Sequence, residues 1–229
     1  MSYQTGPRIV TNGLVFCVDA ADANSYPGSG TTWTDLSGNG NNGTLTNGPT
    51  FNSANRGSIV FDGTNDYVNC SNNSSINITG NFLTLSAWIN KISWNQDHTF
   101  IHKDFVYTLA LRRVSNVNVV TYADGSNWSY LNFGYHGSFL ADVWYNIVAV
   151  KNGTNITIYS NNTVVVSKSF GSSITGNSNS LIIGAYNDVA SNTFYSDNAR
   201  ISQVSIYNRA LSATEVAQNY NATKGRYGF

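Results

Sequence analysis

The strongest constraint on the fold is an apolar pattern with a period of two. In residues 82–90, every second position from Leu83 to Ile89 is apolar. Successive side chains of a β-strand point to opposite faces, so these positions share one buried face. Residues 144–150 and 156–159 repeat the pattern across a loop that contains an Asn-Gly turn signal. This arrangement predicts an antiparallel hairpin.

Short segments of the same kind recur along the chain without helical spacers. They lie at residues 13–19, 58–62, 67–70, 106–112, 117–122, 129–133, 164–169, 181–184 and 199–207. Many short strands are typical of a two-sheet antiparallel sandwich such as a jelly roll. Because no linker, charge run or internal repeat divides the chain, we predict an all-β fold with one domain over residues 1–229.

One segment near the C-terminus breaks the strand pattern with a helix-start signal. Ser212 and Glu215 have the spacing of a capping box, and Leu211 and Val216 have that of a hydrophobic staple. The residues with the helical spacing of one buried face are Ala213, Val216, Ala217 and Tyr220. We therefore predict a short C-terminal helix that packs on the sandwich.

The charge pattern and the absence of long apolar runs exclude several classes of partner. Charged residues make up 10% of the chain, against roughly 25% in an average protein, and the formal net charge is zero. Without a basic field, nucleic acid is not an expected partner. No run approaches the roughly 20 apolar residues of a membrane span, and residues 14–18 are too short for a signal-peptide core. We expect synthesis in a host cytoplasm, without a secretory signal.

The two cysteines cannot form a disulfide framework. Cys17 and Cys70 are better explained as small buried hydrophobic residues. A single bridge between them stays open as the alternative.

Several motifs, taken in order, resemble those of the laminin-G-like, concanavalin A-like jelly-roll family. They include Trp-Thr-Asp-Leu-Ser-Gly-Asn-Gly-Asn at residues 33–41, Phe-Asp-Gly-Thr-Asn-Asp-Tyr-Val at 61–68, and Asn-Arg-Ala-Leu-Ser-Ala-Thr-Glu at 208–215. Shorter matches lie at residues 13–19, 85–89 and 144–146. Members of this family mostly bind glycans or protein partners, often near calcium. Related domains also occur in enzymes, in extracellular proteins and in phage virions, so fold alone does not choose the function.

The sequence offers no support for catalysis. Hydrolytic relatives of this jelly roll need a pair of carboxyl groups, commonly two Glu, whereas Glu215 is the single Glu of the chain. Asp62 and Asp66 are the nearest substitute, but they are better explained by a tight turn. His98 and His102 would share one face of an extended strand, and two ligands do not complete a zinc site. We predict no catalytic residues.

Calcium is a candidate cofactor, because it takes six to eight oxygen ligands from flexible loops. The candidate ligands are Asp35, Asn39, Asp62 and Asp66. The alternative is that Asp35 and Asp62 close Asx-turns on their own backbone.

Glycan binding by such a sandwich needs exposed aromatic rings beside polar groups. The candidates are Trp94, Trp128 and Tyr130, which lie in or beside turn-rich segments, whereas Trp88 and Trp144 are predicted to be core or sheet-face residues. Burial against a neighbouring subunit would explain the loop tryptophans equally well. The neutral charge and aromatic content also favour a homo-oligomer.

Three functions follow from these observations. The first is a non-catalytic virion protein, in capsid decoration or a tail fibre, whose partners are other virion proteins or glycans. It is favoured by the ending at residues 219–228, which is similar to the tails of such domains in phage structural proteins. The second is a carbohydrate-binding or adhesion module at a cell surface or outside the cell. The third, a polysaccharide-degrading enzyme, is the remote alternative.

Overall fold

The predicted all-β sandwich is confirmed. A computed structural model describes residues 8–93, 98–114, 117–124, 131–133, 139–169, 173–188 and 193–229. Its strands are β1 Leu14–Asp19, β2 Thr32–Trp33, β3 Gly43–Thr46, β4 Thr50–Asn52, β5 Ser58–Asp62, β6 Tyr67–Asn69, β7 Phe82–Lys91, β8 His98–Lys103, β9 Tyr107–Val114, β10 Val117–Asp124, β11 Leu131–Phe133, β12 Trp144–Asn152, β13 Asn155–Ser160, β14 Thr163–Ser169, β15 Leu181–Ile183, β16 Ala185–Asp188, β17 Thr193–Ser196 and β18 Asn198–Tyr207. Helix α1 spans Ala213–Thr223.

The described strands form two antiparallel eight-stranded sheets. The first, sheet A, has the order β14-β13-β12-β7-β18-β5-β4, with β1 also paired to β18. Sheet B has the order β11-β10-β9-β8-β15-β6-β3-β2, and β16 and β17 form a separate hairpin. The predicted hairpin is β12–β13, in which Asn152 pairs with Asn155.

The core lies between the two sheets, as the period-two pattern predicts. Leu83, Leu85 and Ile89 of β7 are fully buried in a cluster that extends along the chain from Val15 to Ile206. Cys17 and Cys70 are free and buried, so the expectation of two small buried hydrophobic residues is confirmed. Among the described residues, no helix has the length and apolar character needed to cross a membrane.

Helix α1 begins with the predicted capping box. The Ser212 hydroxyl accepts a hydrogen bond from the Glu215 amide, and the Glu215 carboxylate accepts one from the Ser212 amide at 2.8 Å. Val216 and Tyr220 are buried as predicted, but Ala213 is exposed and Thr223 is buried instead. Thr223 is buried because the last turn of the helix lies over Trp88, whose Nε1 donates to Thr223 Oγ1.

The expectation that His98 and His102 share one face is wrong. The register of β8 against β9 shifts between Thr99 and Ile101, which marks a β-bulge. His98 therefore pairs with Leu111, a core residue, whereas His102 pairs with Thr108 and contacts its hydroxyl at 2.9 Å. The extra residue in the bulge turns the two imidazoles to opposite faces of sheet B.

Candidate functional site

A pocket on the outer face of sheet A is the candidate site, and we call it the Trp144 pocket. Ile89 of β7 faces the core, so its neighbour Asn90 faces outward. The sheet register places Trp144 of β12 and Arg200 of β18 on either side of Asn90. The pocket has a volume of about 480 Å³, and its lining includes Asn55, Ser58, Asn90, Asp142, Trp144, Arg200, Tyr227 and Phe229.

Polar side chains across the pocket are held in place by mutual hydrogen bonds. Arg200 Nη1 donates to Asn90 Oδ1 and to Asp142 Oδ1, both at 2.8 Å. The Asp142 amide donates to the Lys91 carbonyl at 2.7 Å, which fixes the turn that carries this carboxylate. Arg200 and Asp142 are the charged side chains in the described lining. Because they pair with each other, their charges compensate one another.

Aromatic rings form the other wall of the pocket. The Trp144 and Tyr227 ring centroids are 4.8 Å apart, and Tyr227 also stacks on Trp88 at 4.0 Å. Trp144 Nε1 donates to Asn55 Oδ1 at 3.1 Å, which fixes the indole orientation. Phe229 is 50% exposed, so its ring is accessible at the rim. The wall therefore combines two fixed rings with one accessible ring.

Ser58 places an unsatisfied hydroxyl in the pocket lining. The residue is 1% exposed, and its Oγ has no hydrogen-bond partner among the described residues. Buried polar groups in native proteins are rarely left unpaired, because desolvation without a compensating hydrogen bond is unfavourable.

The chemistry of the pocket is that of recognition. It combines the exposed Phe229 ring, backed by the buried Trp144 and Tyr227 rings, with fixed donors and acceptors for hydroxyl groups. This combination is found in small-ligand sites. Glycoside hydrolysis needs two carboxyl groups, whereas Asp142 carries the one side-chain carboxylate in the described part of the lining.

The sequence matches a laminin-G family model, described as the concanavalin A-like lectin/glucanases superfamily, over residues 62–217. The match covers more than half of the chain. The chain belongs to this superfamily.

Solved structures share the superfamily fold. The binding domain of Paraclostridial Mosquitocidal Protein 1 has a TM-score of 0.69 at 21% identity, over 92% of this chain and 52% of that chain. Domain 4 of AbnA, a GH43 extracellular arabinanase from Geobacillus stearothermophilus solved with arabinotriose, has a TM-score of 0.68 at 16% identity, over 91% of this chain and 98% of that chain.

The binding domain of Botulinum Neurotoxin DC, solved in complex with SialylT, has a TM-score of 0.66 at 15% identity. The match covers 93% of this chain and 52% of that chain. The chain thus spans about half the length of the two toxin domains, and identities this low show a common fold alone. No curated protein matches the chain.

In this member of the superfamily, the residues predicted as calcium ligands lie in two separate turns. In the first turn, Asp35 Oδ1 accepts hydrogen bonds from the Cys17 and Ser37 amides, both at 2.9 Å. Asp35 Oδ2 accepts from Ser37 Oγ at 2.7 Å and from the Asn41 amide at 3.0 Å. The Asn39 side chain donates to Ser37 Oγ at 3.0 Å. Protein donors thus already contact both Asp35 oxygens, in the Asx-turn that was the alternative to a calcium site.

The second turn joins β5 to β6 and brings Asp62 and Asp66 together. Asp62 Oδ1 accepts from the Thr64 amide at 2.7 Å, and the Asp62 amide donates to Asp66 Oδ2 at 3.1 Å. Asp66 is buried, and this burial raises the pKa of its carboxyl group. Within the described residues, no group of three or more His, Cys, Asp or Glu side chains is arranged to hold a metal. Calcium binding by Asp35, Asn39, Asp62 and Asp66 stays a prediction.

The aromatic residues predicted to contact a glycan are not those of the pocket. Trp94, Trp128 and Tyr130 lie outside the described residues, so their role stays a prediction. Trp144 is a sheet-face residue as predicted, yet it lines the pocket. No local motif marks Arg200 or Asp142 as its neighbours, because only the strand register and the turn before β12 bring them together.

Proposed function

We propose that this chain is a non-catalytic carbohydrate-binding domain whose ligand occupies the Trp144 pocket. The observation that carries the proposal is the lining itself. An exposed Phe229 ring and the buried Trp144 ring line one pocket with Arg200. Arg200 is hydrogen-bonded to Asn90 and Asp142. The C–H face of a sugar ring would pack on the aromatic wall. Its hydroxyl groups would exchange hydrogen bonds with the polar side chains of Asp142 and Arg200.

The superfamily and its structures support this proposal. The superfamily comprises lectins and glucanases, and the arabinanase domain was solved with arabinotriose. The proposal that the domain is non-catalytic rests on the carboxylate side chains of the chain. Glu215, the single Glu, is bound to Arg209 through two hydrogen bonds of 3.0 and 2.6 Å and closes the capping box of α1.

A glycan array probed with the labelled protein tests the proposal. We expect binding to a defined set of oligosaccharides, reduced at least tenfold by Arg200→Ala and by Phe229→Ala. Two matched controls are Lys168→Ala, which removes an exposed charge from β14, and Phe82→Ala, which removes a phenylalanine that is 51% exposed outside the pocket. An array without binding would contradict the proposal, and so would binding that both pocket variants retain.

We also propose a setting for this binding, the attachment of a virion to glycans or to other virion proteins. Its support is the similarity of residues 219–228 to the tails of such domains in phage structural proteins. The protein should then be abundant in purified particles, as measured by mass spectrometry. Its absence from particles would favour the alternative setting, a cell-surface or secreted adhesion module.

A further inference from the structure

Asp142 forms an ion pair with Arg200 in the Trp144 pocket. Its carboxylate is largely exposed and pairs with the partly buried Arg200 guanidinium at 2.8 Å. The same guanidinium nitrogen also donates to Asn90 Oδ1 at 2.8 Å. The strongest anion-binding group of the pocket thus already has a carboxylate partner from the chain.

This arrangement disfavours a ligand that carries a carboxylate. Guanidinium groups bind carboxylates through charge-assisted hydrogen bonds, often in pairs. A carboxylated sugar would have to displace Asp142 from Arg200 and would then lie beside a like charge. A neutral sugar neither displaces Asp142 nor brings a second negative charge beside it. Its hydroxyl groups can donate to Asp142 and accept from Arg200.

We infer that Asp142 is a specificity-determining residue that makes the Trp144 pocket select neutral glycans over glycans with carboxylated sugars. This inference rests on the proposed carbohydrate-binding function. It assigns to Asp142 the rejection of one class of glycan, which neither the fold nor the family match specifies.

The backbone conformation at Asp142 allows Asp142→Asn to change the charge of the side chain without straining the backbone. Asp142 has φ of 59°, in the left-handed region that Asn tolerates well. The side chain keeps its shape, and an amide oxygen can still accept from Arg200. The substitution therefore removes the negative charge and leaves the guanidinium charge uncompensated. A matched control is Asp22→Asn, which removes the same charge from a residue outside the pocket lining.

The experiment uses an array of matched trisaccharide pairs, each made of a neutral hexose oligomer and the same oligomer with carboxylates at C6, together with arabinotriose. We expect the wild-type protein to bind neutral members at least tenfold more tightly than their carboxylated partners. Asp142→Asn should raise the affinity for carboxylated members at least tenfold, and added salt should weaken that gain. Asp22→Asn should behave as the wild type does.

Two results would overturn the inference while leaving the proposed function intact. One is that the wild-type protein binds carboxylated members as tightly as neutral ones, while Arg200→Ala still reduces the affinity for both. The other is neutral selectivity that is unchanged in Asp142→Asn. No binding to any member of the array would overturn the proposed function and this inference together.

Discussion

Trp88 Nε1 donates a hydrogen bond to Thr223 Oγ1 at 2.8 Å, across 135 residues of sequence. Trp88 stands on the outer face of β7, in the middle of sheet A, and Thr223 ends helix α1. The same indole stacks on Tyr227, whose ring lines the Trp144 pocket. The contact thus connects the docking of the C-terminal segment to the shape of the candidate site.

Replacing Thr223 with Val should destabilise the protein by about 1–3 kcal/mol, the usual penalty for leaving a buried donor unpaired. Val has nearly the same shape as Thr but cannot accept the hydrogen bond from Trp88. Urea unfolding followed by tryptophan fluorescence measures the change. Thr223→Ser is the matched control, because it keeps the hydroxyl. An unchanged free energy of unfolding in Thr223→Val would contradict the role of this hydrogen bond.

The ion pair between Arg209 and Glu215 at the start of α1 should contribute to the free energy of unfolding, and this contribution should disappear in acid. Hydrogen bonds from Arg209, and then from the Ser212 amide, lower the pKa of Glu215 from its ordinary 4.5 to about 2. The unfolded chain binds the proton at higher pH than the folded protein does. The contribution is therefore fully present above about pH 4.5 and is lost as the pH falls from there towards 2.

Glu215→Gln should therefore lower the free energy of unfolding by about 1 kcal/mol at pH 7, and by less as the pH falls. Gln can still reach back to the Ser212 amide, so the variant removes the charge and keeps the capping box. Urea unfolding of both proteins at pH 7, 5, 4 and 3 measures the difference. A difference that stays constant from pH 7 to 3 would contradict the role of the ionised carboxylate.

His98 and His102 should remain neutral well below the usual pKa of histidine. Burial lowers the pKa of His98 from 6.5 to about 3 and that of His102 to about 4. The unfolded chain takes up protons near pH 6.5 and the folded protein does not, so we expect stability to fall as the pH drops from about 6.5 towards 4.

Two-dimensional proton–carbon NMR of the imidazole rings measures this directly. The signals of His98 and His102, assigned by single substitution, should not shift between pH 7.5 and 5. A midpoint near 6.5 for either signal would show that its ring is accessible to water. Thermal unfolding over the same pH range gives the accompanying loss of stability.

The sequence predicted those features that depend on local pattern. The alternation around Leu85 places its side chain in the core, and Ser212 with Glu215 forms the predicted capping box. Short strands were not predicted, including β2 to β4, because two to four residues carry too little periodic signal. The bulge in β8, which reverses the face of His98, leaves no mark in the residue pattern.

The candidate site could not be predicted for a different reason. Asn90, Asp142 and Arg200 are far apart in sequence, and a one-residue change of register would turn each strand residue to the other face. Trp144 was correctly placed on a sheet face, but its role depends on Tyr227, which the C-terminal segment brings to it. A site assembled by long-range pairing leaves no local motif.

The location of glycan binding can be measured through the five tryptophan indole N–H signals of the chain. They are resolved by proton–nitrogen NMR and assigned by Trp→Phe substitution at each position. Titration with arabinotriose and with the tightest-binding trisaccharide of the array should shift the Trp144 signal in proportion to occupancy. Shifts confined to Trp94 or Trp128, with the Trp144 signal unmoved at saturation, would contradict the assignment of the Trp144 pocket as the binding site.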